Sequence, residues 1–364
     1  MAAPTAIVEV RASVLDIPLV EPFVIATGSQ DVARNVLVGV RLADGTLGHG
    51  EAAPFEAVTG ETQESTLSAV SQLDGVVRGG DARRWRWLAS EMRRANAGAA
   101  AARCGLETAI LDALTRRAGL PLWSFFGGCG TELETDMTIT AGSPEHAGRS
   151  ARAIVKRGIR TIKVKIGGAP HEDLDRIAAV HEAAPTAPLI LDGNCGYDAA
   201  SALALLHNLR DRRIPVALFE QPTGRYDWEG IRRVTREGGV PVAADETVTT
   251  AADALRAARE GAVNCVNIKL MKAGLAEALD IAAICRAAGI RLMIGGMVES
   301  ILAMTVSAHF AAGQGGFTFV DLDTPMFMAE QPFDGGFAQH GGHLSVAESG
   351  PGHGVRPKRV MGDG

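Results

Sequence analysis

Between residues 135 and 324, short apolar runs recur at a nearly constant interval, and most carry a charged residue at their end. The runs are DMTIT, TIKVKI, PLILDGN, VALFEQP, PVAADET, CVNIKL, RLMIGG and FTFVDLD. From the second onward they end at 165, 192, 220, 245, 269, 295 and 321, so neighbouring ends stand 24 to 28 residues apart. Amphipathic stretches such as EDLDRIAAVHEAA, AASALALLHNLR and AEALDIAAICRAAG fill the gaps. Strand alternating with helix predicts an α/β chain with a parallel sheet and right-handed crossovers. Eight even units favour closure into a (β/α)₈-type barrel. A doubly wound open sheet is the rival, and no G-x-G-x-x-G follows the first run to support it.

The first 55 residues follow a different rule. IVEVRASV, NVLVGVRL and TLGHGEAA alternate apolar and polar residues, and Asp44-Gly45 between the last two is a hairpin signal. Residues 62–118 then turn helical, with Trp85, Leu88 and Met92 at helical spacing and Trp87 nearby. A ligand platform built on the two tryptophans is one reading; a core-facing stripe is the preferred one. Strands followed by helices predict an α+β unit over 1–125, the barrel over 126–324, and a Gly- and Pro-rich tail over 325–364 that packs back on the first unit.

Composition narrows the partners. The formal charge is −6, and no basic run stands out except RPKR at 356–359, which excludes nucleic acid as the expected partner. There is no apolar run of membrane-spanning length, and MAAPTAIVEV has no charged segment before an apolar core. Five scattered cysteines without C-x-x-C spacing read as free thiols. Together these predict a soluble, cytoplasmic protein that acts on a small molecule. A homo-oligomer is compatible with the sequence, which leaves the state open.

Active sites of such barrels lie at the C-terminal ends of the strands. Here those ends carry Lys163 and Lys165, Asp192 and Asn194, Glu220, Asp245 and Glu246, Lys269, and Asp321 and Asp323. Alternation along a strand puts Lys163 with Lys165, and Asp321 with Asp323, on one face toward the barrel axis. The plainer alternative at each single position is a helix cap, a loop ion pair or a solvated edge. That alternative does not account for Asp, Glu and Asp on three consecutive strands with lysines on either side. Asp192, Glu220 and Asp245 would repel one another without a cation, and all-oxygen ligation suits Mg²⁺ first and Mn²⁺ second. Asn194 and Glu246 stand beside them as supporting groups. No His or Cys matches a strand end, which argues against zinc.

The second and sixth strands lie on opposite sides of an eight-stranded barrel, so Lys165 and Lys269 would flank a substrate carbon bound through its carboxylate. One amine removes the α-proton, the other returns it from the opposite face, and the metal stabilises the enediolate. Lys163 beside Lys165, with the dication, is expected to depress the pKa of the base and to share in binding the carboxylate.

At these residues the chain resembles the enolase superfamily, in its muconate lactonizing enzyme subgroup. The matching segments are the K-x-K of TIKVKIG, the D-x-N of LILDGNCGY, the E-Q-P of LFEQP, the D-E of AADET and the first lysine of NIKLMKAGL. GHGEAAP, ETAILDAL and PLWSFFGG look familiar as well, so the likeness covers most of the chain. It implies an N-terminal α+β capping domain over a modified (β/α)₇β TIM-type barrel. It further implies Mg²⁺ on Asp192, Glu220 and Asp245, and acid/base lysines at 165 and 269. The mandelate racemase subgroup is disfavoured, because MIGGMVES lacks a histidine.

The D-x-D of VDLDTP is similar to that of the dipeptide epimerases, in which two aspartates are implied to hold the α-ammonium of the N-terminal residue. A free ammonium is a natural partner for Asp321 and Asp323. The expected reaction is then a 1,1-proton transfer at the α-carbon of a dipeptide's C-terminal residue. EPFVIATGSQ holds no Arg or Lys to receive an acidic side chain, and Glu21, Glu51 and Glu56 are candidates for a cationic one. Phe23, Ile25, Phe55 and Met297 favour an apolar or broad pocket; ordinary core is the alternative for these residues. The rivals are an N-acylamino acid racemase, o-succinylbenzoate synthase or cycloisomerase on the same frame, a Schiff-base aldolase using Lys165 or Lys269, and a non-catalytic binding protein.

Overall fold

Asp44 and Gly45 turn the chain as expected: Gly45 takes φ 88°, and its N–H donates to the Leu42 carbonyl at 2.9 Å. The structure is a computed structural model that describes residues 3–25 and 28–358, the side chains of residues 24, 25, 28 and 29 excepted. Strands Ile7–Ile25, Gly28–Leu42 and Leu47–Ala52 form an antiparallel meander. Helices Gln63–Val77, Trp85–Ala95 and Ala100–Ala118 follow it. The last helix lies so close to the third strand that a Cβ at Gly50 would sit 2.1 Å from the Gly105 carbonyl oxygen. Val36, Val38 and Val40 meet Leu73, Leu88, Met92 and Leu106 in that core. Of the two tryptophans, Trp85 packs on the core, while Trp87 is 46% exposed beneath the Arg84 guanidinium.

The eight periodic runs form Met137–Ile139, Ile162–Lys165, Leu189–Asp192, Leu218–Glu220, Val242–Ala244, Cys265–Lys269, Arg291–Gly295 and Phe317–Val320. They make one parallel sheet in chain order. The sheet curls until its two edges meet: the Asp136 N–H donates to Val320 O at 2.9 Å, and the Leu322 N–H to Thr135 Oγ1 at 2.9 Å. Helices Pro144–Lys156, Pro170–Ala183, Ala199–Asp211, Trp228–Glu237, Ala251–Glu260, Leu275–Ala287 and Ile301–Gln314 follow the first seven strands. After the eighth strand comes only a 3₁₀ turn, Thr324–Phe327, so the barrel is (β/α)₇β. Pro at the second barrel helix's first turn and Asp198 capping the third mark where the strand loops end.

Ile190, Leu218, Ala243, Cys265 and Met293 form a separate buried cluster within the barrel. Ile190, Leu218 and Ala243 each stand two positions before a charged strand-end residue, so the same alternation that buries an apolar floor lifts the charges above it. The chain after Thr324 pairs His343–Ser345 with Glu132–Glu134 and Phe333–Asp334 with Arg356–Pro357. Its His353 N–H and the Arg116 guanidinium both engage Asp112 of helix Ala100–Ala118. Among the described residues, no helix is long and apolar enough to cross a membrane.

Candidate active site

The parallel register sets Lys165, Asp192 and Glu220 side by side on neighbouring strands. Lys165 Nζ lies 2.7 Å from Asp192 Oδ2, and Lys269 Nζ lies 2.7 Å from Asp245 Oδ2. Lys163, pointing the same way one pleat deeper, lies 2.9 Å from Asp192, 2.8 Å from Glu220 and 2.7 Å from Asp321. Lys163, expected to share in binding a substrate carboxylate, is held here by protein carboxylates. Its ammonium is sealed beneath the site by three carboxylates, and it is absent from the chamber wall.

Three residues the strand-end pattern did not single out brace these carboxylates. Asn267 Nδ2 donates to Glu220 Oε1 at 2.7 Å, and Lys272 Nζ donates to Asp245 Oδ1 and to its carbonyl, each at 2.5 Å. Asn267 was legible as the inward residue two before Lys269; Lys272 lies on the short helix Leu270–Ala273 and carried no periodic signal. Gln221 is a third. Its Oε1 accepts from the N–H groups of Asp245 and Thr247, at 2.9 and 3.1 Å, which ties the fourth strand's end to the fifth's. Asn194, Cys195 and Gln221 take φ of 39°, 65° and 36°, a left-handed conformation that costs about 1–2 kcal/mol for a residue with a Cβ. Cys195 N–H bonding to Gln221 O and Gly193 N–H to Glu220 O hold those turns in place.

Burial favours the neutral form of every one of these groups, and neighbours decide which escape it. For Lys163, burial pulls the pKa down, but Asp192, Asp321, Glu220 and Asp136 together hold it above the ordinary lysine value. Burial likewise pulls Lys269 down, but the Asp245 and Glu220 carboxylates outweigh it and raise its pKa above the ordinary lysine value. Asp192 and Asp245 are lowered because their lysines overcome burial. Burial and the Asp192 charge push Glu220 up to about 7, and burial with the Asp245 charge does the same for Glu246.

The donor set of Asp192, Glu220 and Asp245 suits a hard divalent cation, being all carboxylate oxygen and fully buried. Glu220 Oε2 and Asp245 Oδ2 accept no hydrogen bond even though a lysine ammonium lies at ion-pair distance from each. Both oxygens thus keep lone pairs for another cation. Asn194 Oδ1 and Glu246 Oε2 are unpartnered as well.

Lys165, Lys269, Asp321 and Asp323 all line one chamber of about 30 Å³, together with Thr138 and Asn194. Its other side is apolar: Phe23, Phe55, Val58, Met297 and Val298. The Phe23 ring packs edge-on against Phe327 at 5.6 Å between centroids and lies 5.9 Å from Lys165 Nζ. The Ile25 side chain lies outside the described residues. Glu51 does not reach the chamber; it is buried, accepting from Asn35 Nδ2, Ser300 N and Ala303 N. Glu21 and Glu56 do not line it either.

Asp321 and Asp323 stand at the seam where the eighth strand meets the first. Asp321 accepts from Lys163, and Asp323 Oδ2 accepts the Thr138 N–H at 2.6 Å. Asp136 sits beside them, with one oxygen from each of the three carboxyls within 4.8 Å of the others. It precedes the first barrel strand, so a search restricted to strand ends passes it over.

Two family models match the chain. Residues 7–127 match the mandelate racemase / muconate lactonizing enzyme N-terminal domain, and residues 146–360 match the enolase C-terminal domain-like family. An aromatic dipeptide epimerase of Herpetosiphon aurantiacus is 59% identical over 97% of this chain and 99% of its own length. A mandelate racemase/muconate lactonizing protein from the same organism has a crystal structure with TM-score 0.96 at 58% identity, over 98% of this chain and 100% of that one. The dipeptide epimerase of Enterococcus faecalis, in a crystal structure with Mg and the dipeptide L-Leu-L-Tyr, gives a TM-score of 0.93 at 33% identity, over 96% and 99%.

Proposed function

Since this chain belongs to the mandelate racemase / muconate lactonizing enzyme family, with its enolase-like C-terminal domain, we propose that it is a Mg²⁺-dependent dipeptide epimerase acting on substrates with an apolar C-terminal side chain. One observation carries the reading. A single chamber presents two amines, Lys165 and Lys269, two carboxylates, Asp321 and Asp323, and an apolar wall. The amines suit proton transfer at a carbon acid, the carboxylates suit a free ammonium, and the wall suits an uncharged side chain. Similarity to relatives named as aromatic and hydrophobic dipeptide epimerases agrees with it.

In this reading Asp192, Glu220 and Asp245 hold the dication, with Asn194 and Glu246 behind them. The ion, when bound, supplies positive charge that offsets the charge growing on the substrate carboxylate as the α-proton leaves. Lys165 and Lys269 move the proton: one Nζ takes it from the α-carbon and the other returns it to the opposite face. Lys163 is a structural cation, buried among Asp192, Glu220 and Asp321 and holding their spacing. Asp321 and Asp323 orient the substrate by its ammonium. Phe23, Phe55 and Met297 exclude water and receive the C-terminal side chain. Ile25 belongs to the same proposed pocket on sequence grounds. Cys104, Cys265 and Cys285 are buried free thiols, in keeping with a cytoplasmic enzyme.

The test is a dipeptide library incubated in D₂O with Mg²⁺ and read by mass spectrometry. Dipeptides with aromatic or aliphatic C-terminal residues gain one deuteron at that α-carbon, and the gain disappears with EDTA or in Lys165→Ala. Exchange confined to N-acyl amino acids would overturn the assignment, because it leaves Asp321 and Asp323 without an ammonium to hold.

A further inference from the structure

The seam holds a buried acid that the mechanism above does not use. Asp136 is 1% exposed, and neither of its carboxyl oxygens has a hydrogen-bond partner. The groups that face it are Asp321 and Asp323 from the end of the eighth barrel strand, Lys163 from the second and Glu220 from the fourth. Of the three seam acids, Asp321 is satisfied by Lys163 and Asp323 by the Thr138 N–H. Asp136 alone receives no donor. A fully buried carboxylate with no hydrogen bond, facing two more carboxylates within 4.8 Å, is a costly arrangement. A carboxylic acid in the same place removes the charge and gains a donor, with the Asp321 and Asp323 carboxyls within 4.8 Å as the acceptors it could turn to.

We propose that Asp136 is a neutral carboxylic acid that donates a hydrogen bond to the Asp321–Asp323 pair from below, positioning both aspartates for a cationic ammonium group above them. It does not line the chamber, so it acts through the pair and touches no substrate. The lone pairs of Asp321 and Asp323 that face the chamber are then the ones left free, and the seam meets an ammonium with one negative charge fewer than three ionised carboxyls would carry. Burial together with the Asp321 and Asp323 charges also raises the pKa of Asp136 well above the ordinary aspartate value, in agreement with the geometry. The orienting role rests on the dipeptide reading; the protonation state of Asp136 does not.

The experiment labels aspartate with ¹³C at the side-chain carboxyl and records NMR spectra of the free protein at pH 7, wild type against Asp136→Asn. The expected result is a protonated-carboxyl resonance in the wild type that is missing from the variant. The amide of Asn keeps a donor in place, so KM for a dipeptide stays within about threefold of wild type. Asp136→Val, which removes the donor, raises KM by about tenfold, the equivalent of one hydrogen bond, with kcat less affected. An ionised Asp136 would show only carboxylate resonances, and Asp136→Asn would then weaken dipeptide binding by about tenfold or more through loss of a nearby charge; either result overturns the proposal. If no dipeptide is a substrate but the acid resonance still vanishes in Asp136→Asn, the protonated carboxyl stands and the dipeptide reading fails.

Discussion

Two walls of one barrel interior solve the problem of buried charge in opposite ways. On the side formed by the second to sixth strands, Asp192 touches Lys163 and Lys165, Glu220 touches Lys163, and Asp245 touches Lys269 and Lys272. At the seam between the eighth and first strands, three acids have only the shared Lys163, which reaches Asp321 alone. The first wall carries its own cations, while the seam carries an excess of acid. In a barrel with an apolar floor, that excess is tolerated only if a proton or an arriving cation relieves it. Under the proposed function the two walls take different tasks: the lysine-rich wall would exchange protons and hold a metal, and the acid-rich seam would hold an ammonium.

The largest effect expected from breaking this division is on the lysine wall. Lys165→Ala and Lys269→Ala should each lower epimerisation by at least about 10³-fold, within the usual span for loss of a positioned acid or base. Each variant should still bind dipeptide, because the seam is intact. With a substrate of one configuration, the variant lacking the first base loses exchange of the starting α-proton. Its partner variant can still wash deuterium in without inverting the centre. Equal residual epimerisation in both variants and wild type would remove these lysines from the chemistry.

A smaller and more selective effect is expected at the seam. Asp321→Asn removes a charge that would face the ammonium and also a partner of Lys163. KM for free-amine dipeptides should rise about 10- to 100-fold, the range for losing a hydrogen bond between charged groups. Binding of an N-acetylated dipeptide as a competitive inhibitor should change much less. If both ligands weaken equally, the seam supports the fold and does not select for an amine.

Much of this was legible because a barrel repeats itself. The 24- to 28-residue interval specified eight strands, and strand alternation placed Lys163 with Lys165 on one face. Alternation fixes the face but not the depth. Lys165 reaches the chamber while Lys163, one pleat below, is closed over by carboxylates from three other strands. Lys272 escaped notice because its position on a helical turn has no period-two signal, yet the turn brings it back to Asp245, 27 residues earlier. Asp136 escaped because it lies before its strand, and its partners stand 185 or more residues away, across a closure that only the curled sheet creates. The apolar side of the pocket was readable only in part, since Phe23, Phe55 and Met297 converge through two separate folding units.

The smallest expected effect is on stability, and it tests the surplus of acid directly. Burial and the Asp321 charge, opposed by the Thr138 N–H, push Asp323 up to about 7 from its ordinary 3.8. A carboxyl raised in the fold contributes stability that is fully present below pH 3.8 and is lost as pH rises toward 7. Asp323→Asn has no such dependence. Between pH 4 and 7 the metal-free wild type should therefore lose melting temperature relative to Asp323→Asn. The limit is about 1.4 kcal/mol per pH unit for one fully linked proton, which for a chain this long is on the order of a few degrees. The buried histidines work in the other direction: burial lowers His49 to about 4 and His309 to about 3, so their protonation erodes stability as pH falls below 6.5. They lie away from the seam, in contact with Asp112, His353 and Trp123, and contribute alike to both proteins. They cancel in the difference between the two melting curves. Parallel curves across this range would mean that Asp323 is ionised throughout, leaving Asp136 as the protonated acid of the seam.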